Sequence, residues 1–246
     1  MTTNSRQIFV VFMLIALVCF FFFTYSCKKE KGAKYSTEMA KEMSSSGNLD
    51  SAINIYNRII AKDSENSFVL NELALVYKDK DEFKQALSYL NRAIEIDSIN
   101  YIYLNNRGNI YQSLGMFKEA ELDYGQSINI NKTYAPAYNS RGYMKFLRKK
   151  YREAIDDYTK AVMLDSSYSV AFSNRAIAFF QINDLDNALA DFNRAIDINP
   201  KLSKAYVNRG ITKYKLNDIN GACSDWLLAE ELGEKEGYKL YRIYCK

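Results

Sequence analysis

Histidine is absent from this chain of 246 residues, proline occurs twice, cysteine four times and tryptophan once. Without histidine the chain lacks the commonest general base and metal ligand. Cys19, Cys27, Cys223 and Cys245 never fall in Cys-x-x-Cys spacing, which excludes the usual thiolate zinc signatures. Gly-x-Gly-x-x-Gly and phosphate-loop motifs are missing as well. The expectation is therefore a chain that is not an enzyme and holds no cofactor or metal. Its 33 basic and 29 acidic side chains nearly balance, and no strongly basic face points to nucleic acid. The two prolines interrupt little: Pro136 reads as the first turn of a helix and Pro200 as a connection. Tyrosine is plentiful, with 20 residues, and is spread on a fixed period.

That period is 34. Ala52, Ala86, Ala120, Ala154, Ala188 and Ala222 stand 34 residues apart. Twelve residues before each comes another small residue: Ala40, Ala74, Gly108, Gly142, Ala176 and Gly210. Seven after, the chain is small in all but the first period: Ile59, Ala93, Ser127, Ala161, Ala195 and Ala229. Four after, it is always large: Tyr56, Leu90, Tyr124, Tyr158, Phe192 and Trp226. Helix axes approach to about 8 Å only where the crossing side chains are no bigger than alanine. The small positions thus predict close helix pairs, and the large ones fill the space between pairs. Ala154→Leu is expected to overpack its crossing by about 1–3 kcal/mol. Turn signals at Ser46-Gly47-Asn48, Leu114-Gly115 and Asn183-Asp184 split periods into two helices.

The pattern resembles the tetratricopeptide-repeat family, whose unit has a small residue at position 8, Ala at 20, an aromatic at 24 and Ala at 27. Position 4, large and apolar in the family, is Leu70, Leu104, Tyr138, Phe172 and Tyr206, but Ser36 in the first unit. Position 32, usually proline, keeps it only as Pro200. The resemblance spans 33–236 and implies an all-α, right-handed α-solenoid. Its six helix-turn-helix repeats would be 33–66, 67–100, 101–134, 135–168, 169–202 and 203–236. Residues 237–246, with Leu240 and Tyr244 at positions 4 and 8 of a would-be next unit, are expected to form a C-terminal capping helix.

One departure is concerted. Position 7 is Met39 and Leu73 in the first two units, then Arg107, Arg141, Arg175 and Arg209. Sixteen residues later the same split appears: Ile55 and Tyr89, then Asp123, Asp157, Asp191 and Asp225. Arginine and aspartate are expected to pair, between the two helices of a unit or between neighbouring units. A ladder that repeats speaks for structure rather than catalysis.

The two ends carry other signals. Ile8 to Phe23 is a run of 16 residues without charge, preceded by Arg6 and followed by Thr24-Tyr25-Ser26-Cys27 and a lysine-rich stretch. That length suits a signal segment better than a spanning helix, which needs about 20 residues. The boundary resembles a bacterial lipobox, with Thr24 and Tyr25 departing from it, and implies a signal peptide over 1–26, lipidation at Cys27 and a linker over 27–32. An uncleaved anchor is the alternative. Either way the repeats hang beside a membrane, in the bacterial cell envelope and outside the cytoplasm on the lipoprotein reading. Near the other end, Cys223 and Cys245 form a disulfide on one expectation and remain buried free thiols on the other. Lys145, Arg148, Lys149, Lys150 and Arg152 gather at one inter-helix turn, read as a solvated turn or as a contact for lipid or an acidic partner.

In the family, the first helix of each unit lines a concave groove through positions 2, 5, 9, 12 and 13. Carried onto this chain, the groove candidates are Asn71, Asn105 and Asn139 at position 5. Position 9 supplies Asn109, Tyr143, Ile177 and Ile211, and position 12 supplies Phe146, Phe180 and Tyr214. Amide side chains can both donate to and accept from a peptide backbone, and exposed rings provide binding anchors. Phe146 and Tyr214 have a competing reading, since Lys145 and Lys213 replace the usual ring at position 11 and the two aromatics then restore lost packing. Lys34, Lys41 and Lys204 are too scattered to form a carboxylate clamp. The resulting expectation is a membrane-anchored scaffold or adaptor that binds a peptide or protein segment of an envelope partner. The alternatives are a self-associating spacer, which would oligomerise in sedimentation without a ligand, and an accessory protein for a non-protein ligand such as a glycan.

Overall fold

The computed structural model describes residues 37–245, all helix and turn, in two compact units whose boundary falls between Ser98 and Ile99. The first unit holds α1 (37–45), α2 (Leu49–Ile60), α3 (Ser67–Asp79) and α4 (Phe83–Ile96). The second begins with α5 (Tyr101–Ser113), α6 (Phe117–Ile130), α7 (Ala135–Leu147), α8 (Tyr151–Leu164) and α9 (Ser169–Gln181). It continues through α10 (Leu185–Ile198), α11 (Ser203–Lys215), α12 (Ile219–Glu231) and α13 (Lys235–Tyr244). The leader over 1–26, Cys27, the linker over 27–32, Lys34 and Ser36 lie outside the described residues.

Each period folds as a helix pair closed by a short turn. Six turn residues adopt left-handed backbone at the same place in the repeat, 15: Gly47, Asp81, Gly115, Lys149, Asn183 and Asn217, with φ between 60° and 83°. Asn48, Asn66, Asn100, Asp184 and Asp218 cap the helices that follow them, each accepting from a backbone N–H of the first turn. Pro136 stands in the first turn of α7, and Pro200 lies between α10 and α11. In the second unit each helix packs on the next, and α5, α7, α9, α11 and α13 also touch in succession. First helices thus make one layer and second helices the other.

The six periodic alanines are fully buried, as the close-crossing argument requires. Glycine replaces alanine where a large ring presses closest. A Cβ on Gly210 would lie 2.5 Å from Nε1 of Trp226, the bulkiest fully buried side chain. Gly210→Ala should therefore push the indole from its hydrogen bond to the Val207 carbonyl and cost about 1–3 kcal/mol. Urea unfolding of the variant checks this, and an unchanged midpoint would contradict the contact.

Arginine and aspartate pair inside each repeat of the second unit. Nε and Nη2 of Arg107, Arg141, Arg175 and Arg209 donate to both oxygens of Asp123, Asp157, Asp191 and Asp225 at 2.6–2.9 Å. Two arginines also reach back one repeat: Nη1 of Arg175 donates to Thr159 Oγ1, and Nη1 of Arg209 to Asn193 Oδ1. In the first unit Leu73, Ile55 and Tyr89 share an apolar cluster instead, and Tyr89 stacks on Tyr77 at 5.4 Å.

The terminal helix starts at Lys235, two residues before the expected 237. It closes on α12 because Gly237 lets the backbones approach; a Cβ there would lie 2.5 Å from the Trp226 carbonyl oxygen. Leu240 packs on the cluster around Phe192 and Ala229, and the Tyr244 ring sits 4.7 Å from Tyr214 and 5.9 Å from Trp226. A disulfide joins Cys223 in α12 to Cys245 just after α13.

Burial also sets an alkaline limit. It raises the phenol pKa of Tyr56, Tyr124, Tyr158 and Tyr168, and pushes Tyr134 up to about 12. A folded-state pKa above the unfolded value of about 10 means the neutral phenol favours the fold. That contribution is complete below about pH 10 and lost as pH rises through the folded values. Urea midpoints should hold on the neutral side of this window and fall within it.

Candidate functional site

The groove candidates divide into three groups. Ile177 and Phe180 on α9 and Ile211 on α11 come together around a cavity of about 210 Å³, closed by Gln181, Phe192 and Asn208. Their spacing along the two helices puts them on facing sides, because positions 9 and 12 are one turn apart. All three are half-buried, so each shows part of its apolar surface to a ligand. Lys215 Nζ stands 4.9 Å from the centre of the Phe180 ring and sets a positive charge at the rim.

The second group is already engaged. The Tyr143 ring, 36% exposed, stacks on Phe146 at 6.5 Å. Phe146 in turn packs with Ala154, Tyr158 and Ala178, and lies 5.3 Å from Tyr151. Tyr214 is bracketed by Trp226 and Tyr244. Phe146 and Tyr214 thus do packing work that position 11 cannot, because Lys145 and Lys213 have turned to the ladder. Lys145 Nζ lies 2.8 Å from Asp157 Oδ2, and Lys213 Nζ 2.9 Å from Asp225 Oδ2.

The third group, the amides, corrects the expectation of a ladder open to a peptide backbone. Asn71, Asn105 and Asn139 are only 2%, 4% and 9% exposed. Asn71 donates to Glu72 Oε1, and Asn139 Oδ1 accepts from Asn174 Nδ2 across neighbouring first helices. One repeat earlier Ser140 stands where Asn174 stands, and its shorter side chain donates to Asn109 instead. Asn105 Oδ1 is left buried without a hydrogen-bond partner. Asn109 is occupied too, accepting from Tyr124 Oη at 2.8 Å. Side-chain length across the helix interface, which a position number does not carry, decides these outcomes.

Lys41 is no clamp residue; it bonds Glu72 at 3.1 Å and lies over the Phe68 ring. Gln181, Phe192, Asn208 and Lys215 were not among the groove candidates. Asn208 sits one residue beyond position 5 on the face turned to α9, and Phe192 reads in sequence as packing alone. Among the described residues no cluster of His, Cys, Asp or Glu fits a metal, and no helix is long and apolar enough to cross a membrane.

Comparison with known proteins gives one consistent result. Models described as "Tetratricopeptide repeat" match residues 69–100 and 101–134, and residues 135–168 and 169–202. No curated protein sequence matches the chain. Among solved structures, one reported for the functional characterization of Pseudomonas aeruginosa pilF superposes with a TM-score of 0.75 at 16% identity, covering 87% of this chain and 98% of that one. A tetratricopeptide repeat protein from Parabacteroides merdae gives 0.68 at 20% identity over 87% and 84% of the two chains. YrrB, described as a TPR protein with an unusual peptide-binding site, gives 0.54 at 20% identity over 72% and 91%. At such identities the likeness is one of fold. Helix pairs on a 34-residue period, buried position-20 alanines and repeat matches over four consecutive periods place this chain in the tetratricopeptide-repeat family.

Proposed function

We propose that the chain is a protein-interaction scaffold that binds an apolar anchor of a partner segment between α9 and α11. The family's repeats serve as interaction scaffolds, which makes a protein partner the first expectation. The observation that carries the finer reading is the cavity of about 210 Å³ edged by Ile177, Phe180 and Ile211. Its walls are apolar, Asn208 and Gln181 supply polar groups at the edge, and Lys215 favours an acidic residue beside the anchor. YrrB's description as carrying a peptide-binding site is in keeping with this use of the fold.

A leader over 1–26 and a lipidated Cys27 would tether the repeats to a bacterial envelope membrane, outside the cytoplasm. The Cys223–Cys245 disulfide supports that setting, since such bonds persist in oxidising compartments. Mass spectrometry of the mature protein tests the tether, and an intact Met1 removes the lipoprotein claim. Selection from a random-peptide library on the full chain tests the cavity. Recovered peptides should share an apolar anchor with a neighbouring acid and lose binding to Ile211→Glu while helix content is kept. Peptides that bind this variant as well as the parent would refute the assignment.

A further inference from the structure

The basic turn between α7 and α8 and the apolar turn between α5 and α6 lie side by side, and neither belongs to the cavity described above. Leu114, Met116 and Phe117 are 38%, 39% and 44% exposed, and Leu147, at the end of α7, is 45% exposed. Arg148 Nη1 bonds Glu121 Oε2 at 2.6 Å, which holds the α7–α8 turn against the start of α6. Cations crowd the same edge: Lys118, Arg148, Lys149, Lys150 and Arg152. Of the acids on this edge, Glu121 is engaged with Arg148 and Glu153 with Lys150, while Glu119 and Asp156, one turn beyond Arg152, are exposed. Among the described residues no carboxylate pairs with Lys118, Lys149 or Arg152. Lys145, grouped with them by sequence, turns inward to Asp157 and is not part of this surface.

Lys149 holds left-handed backbone, φ 60°, at the turn position where the other repeats place Gly, Asp or Asn. A lysine is the poorest of these choices for that conformation, and it fixes the cation at the tip of the turn. Beside it Lys149, Lys150, Tyr151, Arg152, Glu153 and Ile182 line a surface hollow of about 330 Å³. An apolar tip flanked by unpaired cations suits the boundary between lipid headgroups and acyl chains. Four of the six residues around this open hollow are charged, unlike the cavity between α9 and α11, whose lining has no charged residue.

We infer that this edge rests on an anionic bilayer surface, with Met116, Phe117 and Leu147 dipping to the acyl boundary and Lys149 and Arg152 on the headgroup phosphates. The surface stands on the two turns alone; the proposed N-terminal tether only brings a bilayer within reach. The test uses the full chain with Cys19→Ser and Cys27→Ser, an environment-sensitive fluorophore at Met116→Cys, and no reductant, which keeps the native disulfide out of the labelling. A second label at Leu216→Cys, equally exposed in the α11–α12 turn beside Asp218, is the internal control.

On phosphatidylcholine vesicles containing phosphatidylglycerol, the Met116→Cys label should shift to the blue and be quenched by brominated acyl chains. On phosphatidylcholine alone it should stay in water, and the Leu216→Cys label should stay in water on both. Lys149→Glu with Arg152→Glu should abolish the response, and the gentler Lys149→Gly, which suits the left-handed turn, should weaken it about fivefold. Cys27→Ser removes the proposed lipid anchor from these samples, so flotation reports attachment by any route that remains, and the Met116→Cys label alone reports the turn. A water-exposed Met116→Cys label on anionic vesicles that float the chain overturns the inference, as do equal responses at the two labels. An equal shift with soluble polyglutamate or inorganic phosphate overturns it too, assigning the edge to acidic polymers or free anions.

Discussion

Asp157→Ala should destabilise the second unit by about 3 kcal/mol, and Asp225→Ala by as much. Each substitution strands two cations, Arg141 with Lys145 or Arg209 with Lys213, around a vanished carboxylate. The figure sits at the low end for fully buried pairs because Arg141 is 27% and Lys145 20% exposed. Asp123→Ala and Asp191→Ala should cost less. Their arginines face a ring at position 11 in place of a second cation: Arg107 lies 5.8 Å from the centre of Tyr111, and Arg175 5.9 Å from Phe179. The order of urea midpoints among the four alanine variants reads this directly. An equal loss at all four sites would show that Lys145 and Lys213 contribute nothing to the ladder.

The same ladder predicts a rescue. The first unit places Leu73 and Tyr89 where the second places arginine and aspartate. Replacing a buried ion pair by apolar residues of similar volume is often neutral, whereas breaking it is costly. Arg175→Met with Asp191→Ile should therefore recover most of what Asp191→Ala loses. Thr159, which accepts a hydrogen bond from Arg175, is only part-buried and can turn to water.

Cys223→Ser should loosen α13 and lower the stability of that end by about 3 kcal/mol, the scale set by closing a loop of this length. In stacked repeats such a loss stays local, so α13 should fray before the helices behind it. Trp226, 1% exposed and the chain's lone tryptophan, lies under Tyr244 and reports the event. Its emission should move to the red and become accessible to iodide in Cys223→Ser, and equally in the parent chain treated with a dithiol. Unaltered emission in both would mean that Gly237, Leu240 and Tyr244 hold the helix without help from the disulfide.

Much of this architecture was legible in the residues. The 34-residue spacing of Ala52 through Ala222 fixes helix pairs, because only a small side chain lets two axes approach and the need recurs with every pair. The concerted change from Leu73 and Tyr89 to arginine and aspartate reveals a contact, since each charge requires the other. Less could be read about the groove. Family position numbers marked Asn71, Asn105 and Asn139 as available to a ligand, yet neighbouring helices bury them. The numbers also placed Tyr214 in the groove, although α13 lays Tyr244 over it.

The amino-acid order by itself determined the repeat, its two helices, the tight crossings and the partners in the charge ladder. These follow from local periodicity, which every unit states again. Only the tertiary structure decided which candidates remain open, which lysines turn inward to aspartate, and that Cys223 meets Cys245. Those outcomes depend on the reach of a side chain in one repeat against the room left by the next. That quantity exists only once the helices are in contact.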